Sequence, residues 1–243
     1  MNIAAVVQAR MGSSRLPGKV LKDLGGESVL ARVVQRLRRS TLISEVVLAT
    51  SVAPGDEAVA REAERLGVRC FRGSESDVLD RFYQAARAFH ADVIVRITAD
   101  CPLIDPEVAD HTVRAFVKER PDYASNGLER TYPRGLDTEV MSAGALARAW
   151  RKAKEPYERE HVTPFFYEHL EVFRIVSVTN DIDYSSHRWT LDTAEDLEFI
   201  RAVYTRFDNR DDFSWRDVLG LLEREPDLSE LNSQVRQKAL REA

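Results

Sequence analysis

Short apolar runs alternate with amphipathic stretches through the first half of the chain, and this alternation most constrains the fold. Runs of four to eight apolar residues predict buried strands, and the stretches between them have the periodicity of helices. The predicted strands cover residues 3–8, 45–50, 68–72 and 92–98, and the predicted helices cover residues 28–39, 56–66, 76–89 and 106–119. The predicted fold class is therefore α/β, with a mixed, mostly parallel sheet flanked by helices.

The second half of the chain is less regular. Residues 121–137 contain two prolines and two glycines and predict an excursion from the sheet, which ends in a return strand at 137–141. Pro156 and Pro164 predict the starts of two short helices. Further predicted elements are a strand at 172–178, a helix from the capping box at 193–196 to about Arg206, and a helical tail from Ser214 with Leu219, Leu221 and Leu222 as its apolar stripe.

The first predicted strand runs into a glycine-rich loop that carries three cations. Gly12 and Gly18 allow close approach of the backbone, and the cations are Arg10, Arg15 and Lys19. Three cations beside a buried strand are costly unless an anion neutralises them, so solvated cations in an ordinary turn are the weaker interpretation. Backbone N–H groups and cations at the carboxyl end of a parallel strand suit a triphosphate. The loop lacks the spacing of the Walker A motif and of the dinucleotide fingerprint, so another kind of nucleotide site is predicted.

Composition and charge exclude several classes of protein. The net charge of −5 over 243 residues argues against general nucleic-acid binding, whereas the cations of a nucleotide site need to line only one cleft. No stretch approaches the roughly 18 apolar residues of a membrane span, and the N-terminus lacks the features of a signal peptide, so we expect no membrane partner and a cytoplasmic location. Cys70 and Cys101 are predicted to be small buried residues, and the histidines lack the spacing of a zinc site.

Three segments of the chain together resemble one known family. Residues 8–21, Gln-Ala-Arg-Met-Gly-Ser-Ser-Arg-Leu-Pro-Gly-Lys-Val-Leu, resemble the N-terminal signature of the cytidylyltransferases that activate acidic sugars, the CMP-KDO and CMP-sialic acid synthetases. Residues 95–106 and 191–198 are similar to later motifs of that family and follow in the same order. Residues 158–164 are similar to a segment of the spore coat polysaccharide biosynthesis subgroup. The resemblance covers residues 1 to about 205.

The resemblance implies a three-layer, Rossmann-like fold of the nucleotide-diphospho-sugar transferase type, with a nucleotidyltransferase domain at 1–207 and a helical tail at 208–243. It implies that CMP passes from CTP to an acidic sugar or another surface-polysaccharide precursor, with Mg²⁺ as cofactor and release of pyrophosphate. It also implies a homodimer. The implied nucleotide-binding residues are Gln8, Ala9, Arg10, Gly12, Ser13, Arg15, Lys19 and Thr98, and the implied catalytic residues are Arg10, Arg15, Lys19 and Asp100.

Two aspartates are the predicted metal ligands. Asp100 follows the strand at 92–98, at a carboxyl end where open α/β sheets bind ligands, and could hold Mg²⁺ together with phosphate oxygens. The alternative is that Asp100 caps the following turn, as we predict Asp105 to cap the next helix. Asp192 matches the second metal ligand of the resembling enzymes. The alternative is that Asp192 has no metal role, because an acidic residue is favoured before the N-terminus of any helix.

Four residues are candidates for binding the acceptor, namely Arg134, Asp137, Glu139 and His161. Arg134 suits a bidentate contact to a carboxylate or phosphate. The equal alternative is a solvated loop, closed by an ion pair from Arg134 to Asp137 or Glu139. His161 could contact either the acceptor or a second subunit.

Two other functions are open at this point. Asp181-Ile-Asp183 has the Asp-x-Asp form of the metal motif of many glycosyltransferases, although a polar turn is the simpler interpretation. A nucleotide-sugar-dependent glycosyltransferase of the related fold would turn over a nucleotide sugar without releasing pyrophosphate. The third hypothesis is a non-catalytic nucleotide-binding protein of polysaccharide or spore coat assembly.

Ala99 and residues 72–81 depart from the CMP-KDO synthetase pattern, but the N-terminal signature favours CTP over other nucleotides.

Overall fold

Residues 1–238, the part of the chain that the computed structural model describes, form a seven-stranded sheet between layers of helices. The strands are β1 (Ile3–Gln8), β2 (Asp23–Leu24), β3 (Glu27–Ser28), β4 (Glu45–Ser51), β5 (Cys70–Gly73), β6 (Val93–Thr98), β7 (Tyr123–Ser125), β8 (Glu139–Ser142) and β9 (Ile175–Ser177). The helices are α1 (Val29–Leu37), α2 (Glu57–Arg65), α3 (Val78–Ala88), α4 (Pro106–Glu119), α5 (Ala143–Lys152), α6 (Pro156–His161), α7 (Pro164–Tyr167), α8 (Ala194–Arg206), α9 (Trp215–Arg224) and α10 (Asp227–Glu230).

The strands follow the order β5-β4-β1-β6-β8-β7-β9 across the sheet, and β2 and β3 form a separate hairpin. β1 pairs in parallel with both β4 and β6, whereas β8 runs antiparallel to β6 and β7. The predicted α/β class with a mixed, mostly parallel sheet is confirmed. Because the chain passes from β1 to β4 on one side and later to β6 on the other, a crevice forms at the carboxyl ends of β1 and β6, where open α/β sheets bind ligands.

Helices cover both faces of the sheet. On β1, Ile3, Ala5 and Val7 pack toward one layer, and Ala4 and Val6 pack toward the other. The first layer contains α1, α2 and α4, and the second contains α3, α5 and α7. This burial on both sides explains why β1 has an unbroken apolar sequence instead of an alternating one.

A third apolar cluster joins α8, α9 and α10 to the rest of the molecule. Beside this cluster, the Arg36 side chain of α1 is fully buried and donates to the carbonyl oxygens of Ile104 (2.6 Å), Asp211 (3.1 Å) and Phe213 (3.0 Å). These hydrogen bonds satisfy a buried guanidinium whose charge would otherwise be costly. The division of the chain after residue 207 stays a prediction.

Most predicted elements of the first half agree with the structure to within a few residues. The two short helices predicted at Pro156 and Pro164 are α6 and α7, and the predicted leucine stripe of α9 is buried. The prediction that residues 121–137 leave the sheet is wrong for Tyr123–Ser125, which form β7 between β8 and β9. Three residues are too few to show the alternation of a strand, so pairing with two neighbours decides their conformation.

Several smaller predictions also have outcomes. Asp105 is the predicted helix cap, and its carboxylate accepts from the amides of Glu107 (2.9 Å) and Val108 (3.2 Å). Both cysteines are free; Cys101 is buried as predicted, whereas Cys70 is only half-buried. Within residues 1–238, none of the helices has both the length and the apolar character that crossing a bilayer requires.

Gly135 lets two distant segments pack backbone to backbone. Its φ of 109° favours glycine, and a Cβ here would lie 2.6 Å from the carbonyl carbon of Trp189 and 2.8 Å from the amide nitrogen of Thr190. The Arg134 amide donates to the His187 carbonyl oxygen (3.0 Å), and the Trp189 amide donates to the Arg134 carbonyl oxygen (2.7 Å). This joint places the segment after Arg134 beside the segment that leads into α8.

We expect Gly135→Ala to lower the free energy of unfolding by about 3 kcal/mol, because the substitution combines an unfavourable φ with a clash against backbone. Urea denaturation measures the loss. Gly55→Ala is the matched control, since a Cβ at Gly55 meets no described atom within 4 Å. A loss in Gly135→Ala no larger than that in the control would contradict this account of the joint.

Candidate active site

Two hydrogen bonds hold the loop after β1 in place. The amide of Gly18, whose φ is 68°, donates to the Met11 carbonyl oxygen (3.0 Å), and the Met11 amide donates to the Asp56 carboxylate (2.6 Å). The second bond ties the loop to the turn before α2. Lys19 then begins the short 3₁₀ turn Lys19–Leu21.

Three oxygen atoms surround the Lys19 ammonium. Its Nζ donates to Asp100 Oδ2 (2.7 Å), to Asp192 Oδ1 (2.9 Å) and to the carbonyl oxygen of Leu191 (2.8 Å). Only 11% of the Lys19 side chain is exposed. Burial acts to lower the pKa of this ammonium, but the charges of Asp100 and Asp192 outweigh it and raise the pKa above its ordinary value. The Lys19 ammonium therefore connects three parts of the chain: the loop after β1, the end of β6 and the segment before α8.

Asp100 and Asp192 stay ionised although both are largely buried. Burial acts to raise the pKa of each carboxyl, but the Lys19 ammonium and further hydrogen bonds outweigh it, so both pKa values lie below the ordinary value. The Thr98 hydroxyl donates to Asp100 Oδ1 (2.6 Å), and the Leu191 amide donates to the Asp100 carbonyl oxygen (2.8 Å). The structure thus brings the two predicted metal ligands together from distant parts of the chain.

Two arginines also contact Asp192. Arg15 Nη2 and Arg188 Nη2 each lie 2.9 Å from Asp192 Oδ2. Arg188 also contacts the fully buried Asp196 carboxylate through Nε and Nη2, each at 2.9 Å. The sequence reasoning missed Arg188. Arg188 could have been identified from its position, since it lies four residues before Asp192, a predicted metal ligand.

Two arginines near the loop form no ion pair within residues 1–238. Arg10 is exposed, and within residues 1–238 its side chain makes no hydrogen bond or ion pair. Arg81 of α3 is fully buried; its Nη1 donates to the Ser74 carbonyl oxygen (2.9 Å), while its Nε and Nη2 find no partner in the described chain. Burial and the charge of Arg10 lower the pKa of Arg81 to about 10. Arg81 has no role among the sequence-based predictions, because a helical arginine is usually solvated. In the structure its charge favours an anion beside Arg10.

The remaining predicted nucleotide-binding residues lie on the same elements. Gln8 ends β1, Ala9 follows it, and Thr98 ends β6. Gly12 and Ser13 lie in the loop, where a Cβ at Gly12 would meet no described atom within 4 Å. The loop is therefore open at Gly12, which is exposed, whereas Ser13 is half-buried.

Glu139, which is predicted to bind the acceptor substrate, belongs to a polar network under the crevice. It accepts hydrogen bonds from the Arg96 guanidinium and from the Tyr123 hydroxyl (2.5 Å), and Arg96 Nη2 also donates to Gln8 Oε1 (3.2 Å). Burial and the charge of Glu139 raise the pKa of the Tyr167 phenol to about 12.

Arg134 has no carboxylate partner among the described residues. The Asp137 carboxylate is held by Arg130 and by the Gly135 amide (2.8 Å), and Glu139 is held by Arg96. The ion pair from Arg134 to Asp137 or Glu139 that would close the loop is absent from residues 1–238. Burial and then the charge of Arg130 lower the pKa of Arg134.

His161 ends α6 at a strained reversal of the chain. Val162 is fully buried with φ 71° and ψ −51°, and the Thr163 amide donates to the His161 carbonyl oxygen (2.8 Å), which closes a γ-turn. A β-branched residue in this conformation is costly and persists only where the surrounding packing requires it. Arg159 of α6 pairs with Asp77 at 2.7 Å, so α6 packs at the start of α3.

The sequence over nearly the whole fold matches a known family. The family model described as cytidylyltransferase matches residues 4–226. The chain belongs to this family. The membership confirms the resemblance that the segments at 8–21, 95–106 and 191–198 predict.

Similar proteins support the assignment of this cytidylyltransferase. It is 37% identical to the spore coat polysaccharide biosynthesis protein SpsF of Bacillus subtilis, over 93% of the chain and 96% of that protein. It is 30% identical to a 3-deoxy-manno-octulosonate cytidylyltransferase of Anaeromyxobacter dehalogenans, over 86% of the chain and 88% of that protein. The solved structure of a cytidylyltransferase from Leptospira borgpetersenii serovar Hardjo-bovis matches with a TM-score of 0.92 at 34% identity, over 98% of the chain and 100% of that structure.

The lowered pKa values of Asp100 and Asp192 predict a loss of stability in acid. Their contribution is fully present above the ordinary carboxyl pKa of about 4 and is lost as the pH falls through the lower values of the folded state. Urea denaturation across this range should show that the free energy of unfolding falls more steeply with acid in the wild type than in Asp192→Asn. The exposed Asp212→Asn is the control and should keep the wild-type slope. Equal slopes in all three proteins would refute the prediction.

Proposed function

We propose that this cytidylyltransferase transfers CMP from CTP to an acidic sugar or another precursor of a surface polysaccharide and releases pyrophosphate. The observation that carries the proposal is the convergence of Arg15 and Lys19 on Asp100 and Asp192 at the carboxyl ends of the strands. Cations that bind phosphate and carboxylates that bind metal serve this chemistry when they share one site. The names of two relatives, a 3-deoxy-manno-octulosonate cytidylyltransferase and a spore coat polysaccharide biosynthesis protein, support this class of acceptor.

The two carboxylates fit a divalent cation such as Mg²⁺. This ion prefers oxygen ligands and binds through one or two carboxylates together with phosphate oxygens. Within residues 1–238, no cluster of three or more histidine, cysteine or acidic side chains forms a cage made by the protein alone. Asp100 and Asp192 would hold the ion. When bound, it would neutralise phosphate charge and orient the triphosphate.

Binding of the triphosphate would exchange the partners of the loop cations. Arg15 and Lys19, which neutralise the two aspartates, would turn to phosphate oxygens, and Arg10 can contact phosphate without giving up a described partner. A hydroxyl oxygen of the acceptor then attacks the α-phosphorus and releases its proton to solvent. The bond from this phosphorus to the oxygen that bridges it to the β-phosphorus breaks, and pyrophosphate leaves with the electron pair. The chain contributes positioning and charge stabilisation, and it needs no covalent nucleophile.

Arg134 is the residue best suited to an acidic group of the acceptor. It is half-buried, it has no carboxylate partner within residues 1–238, and its backbone pairs with Arg188 in the segment that carries Asp192. A planar guanidinium binds a carboxylate through two parallel hydrogen bonds. Asp137, Glu139 and His161 stay predictions as acceptor contacts, as do the homodimer and the cytoplasmic location.

The glycosyltransferase hypothesis has weaker support. Asp181 and Asp183 are exposed in a turn, where the Asp183 carboxylate accepts from the Ser185 amide (2.8 Å). This contact organises the turn, which is the simpler interpretation of the Asp-x-Asp sequence. Family membership also favours nucleotidyl transfer over glycosyl transfer.

Pyrophosphate release tests the proposed reaction. Each of the four nucleoside triphosphates is supplied separately with Mg²⁺ and a pool of acidic sugars and sugar phosphates. We expect release with CTP, and a rate lower by about 10²- to 10³-fold in Asp100→Asn, because an essential preorganised charge is lost. The exposed Asp212→Asn should keep the wild-type rate. Turnover of a nucleotide sugar without pyrophosphate release would overturn the proposal in favour of a glycosyltransferase.

Arg10 is predicted to act mainly in the transition state. We expect Arg10→Gln to lower kcat by about 10²-fold, since the cation stabilises charge that builds up on the phosphates during transfer. Initial-rate kinetics at varied CTP separate kcat from KM. Arg61→Gln is the matched control, because Arg61 is an exposed arginine of α2. A rise in KM with an unchanged kcat would limit Arg10 to ground-state binding.

A further inference from the structure

The segment after α10 returns to the candidate active site. Asn232 follows this helix and is only 5% exposed. Its side-chain amide donates to the Arg188 carbonyl oxygen and to Asp196 Oδ1, each at 3.0 Å. Further along, Gln237 Oε1 accepts from Arg188 Nη1 at 2.8 Å. The two side chains thus contact the same arginine that contacts Asp192.

Asp196 connects Asn232 to the predicted metal ligand. The Asp196 carboxylate accepts from the backbone amides of Asp192 (2.9 Å) and Thr193 (3.1 Å), and it accepts two hydrogen bonds from Arg188. Arg188 in turn contacts the Asp192 carboxylate. Asp192 is therefore held at its backbone by Asp196 and at its side chain by Arg188, and Asn232 contacts both of these residues.

The polar contacts of Asn232 are not needed to attach the C-terminal segment. Leu228 is buried in the third apolar cluster and Leu231 packs against it, so apolar burial already anchors the chain there. Hydrogen bonds give direction, which apolar contacts lack. The Asn232 amide holds the Asp196 carboxylate and the backbone carbonyl of Arg188, while Gln237 contacts the Arg188 guanidinium. Together these contacts orient the two groups that hold Asp192.

We propose that Asn232, assisted by Gln237, is a positioning residue of the nucleotidyl-transfer site and acts on Asp192 through Asp196 and Arg188. This inference rests on the proposed function, because it concerns the metal ligand of that reaction. It assigns the segment that follows α10 to the active site rather than to a separate tail. Residues that orient a metal ligand in this way commonly change metal affinity or activity by about 10- to 100-fold when they are replaced.

The test compares variants at neighbouring positions of the same segment. Asn232→Leu removes both donors at nearly constant volume. Ser233→Ala is the matched control, since Ser233 is exposed and its hydroxyl bonds only to the Glu230 carbonyl oxygen in the described chain. Gln237→Ala removes the second contact to Arg188 at an exposed position, where we expect folding to be unaffected. Mn²⁺ binding in the presence of CTP, measured by electron paramagnetic resonance, reports on the metal site without turnover.

We expect Asn232→Leu to weaken Mn²⁺ binding and to lower kcat by about tenfold or more, with an unfolding temperature close to that of Ser233→Ala. Gln237→Ala should shift both quantities in the same direction by a smaller factor. In the background of Arg188→Lys, Asn232→Leu should have a reduced effect, because both substitutions act on one network.

Wild-type metal affinity and kcat in both Asn232→Leu and Gln237→Ala would overturn the inference. If Asn232→Leu unfolds, Gln237→Ala decides the question by itself, and an unchanged metal affinity in that variant also overturns the inference. Failure of the wild-type protein to bind Mn²⁺ with CTP or to release pyrophosphate would instead be a failure of the proposed function. The two failures are therefore distinguishable.

Discussion

A single ammonium group holds the candidate site together. Lys19 is 81 residues from Asp100 and 173 residues from Asp192 in the sequence, so nothing local brings these side chains into contact. Two largely buried carboxylates at such short range repel each other, and without a compensating cation one of them would take up a proton. The sheet provides the place where the strands end, and Lys19 provides the charge that lets both aspartates remain ionised there.

This arrangement also sets the electrostatic cost of binding a substrate. Breaking a buried ion pair is expensive when one partner is left alone, but exchange of one anion for another on the same cation avoids that cost. In the proposed reaction, phosphate oxygens would take the place of the carboxylates on Lys19 and Arg15, and Asp100 and Asp192 would then be available to hold a divalent cation. The charges that the proposed reaction needs are thus present before the nucleotide binds, and binding would change only their partners.

The parts of the site that the sequence predicts are those that follow from local pattern. An unbroken apolar strand followed by glycines and cations indicates a phosphate loop, and Asp100 can be placed because it follows another buried strand. Asp192 is found through the capping box beside it and through family resemblance.

The parts that the sequence does not reveal depend on contacts between distant segments. In the sequence, Arg81 cannot be distinguished from other helical arginines, and only the folded structure shows that it is buried. Arg188 can be assigned a role only when its contact with Asp192 is known. Strand β7 is decided by its two neighbours in the sheet, and Asn232 lies beyond the residues that the family resemblance covers. Local patterns carry no information on such long-range pairing, whereas the hydrogen bonds and charges of the folded chain do.

The buried Arg36 has a consequence for how the molecule can change by mutation. All three hydrogen bonds that join it to Ile104, Asp211 and Phe213 end on backbone carbonyl oxygens, which every amino acid supplies. Through these three bonds the guanidinium recognises the path of the chain, although its Nη2 also lies 3.9 Å from Asp105 Oδ2 and its Cζ lies 4.3 Å from the centre of the Phe213 ring. The dependence of these three hydrogen bonds on sequence is therefore one-sided: the backbone supplies each acceptor whatever the side chain, but only Arg36 supplies the donors.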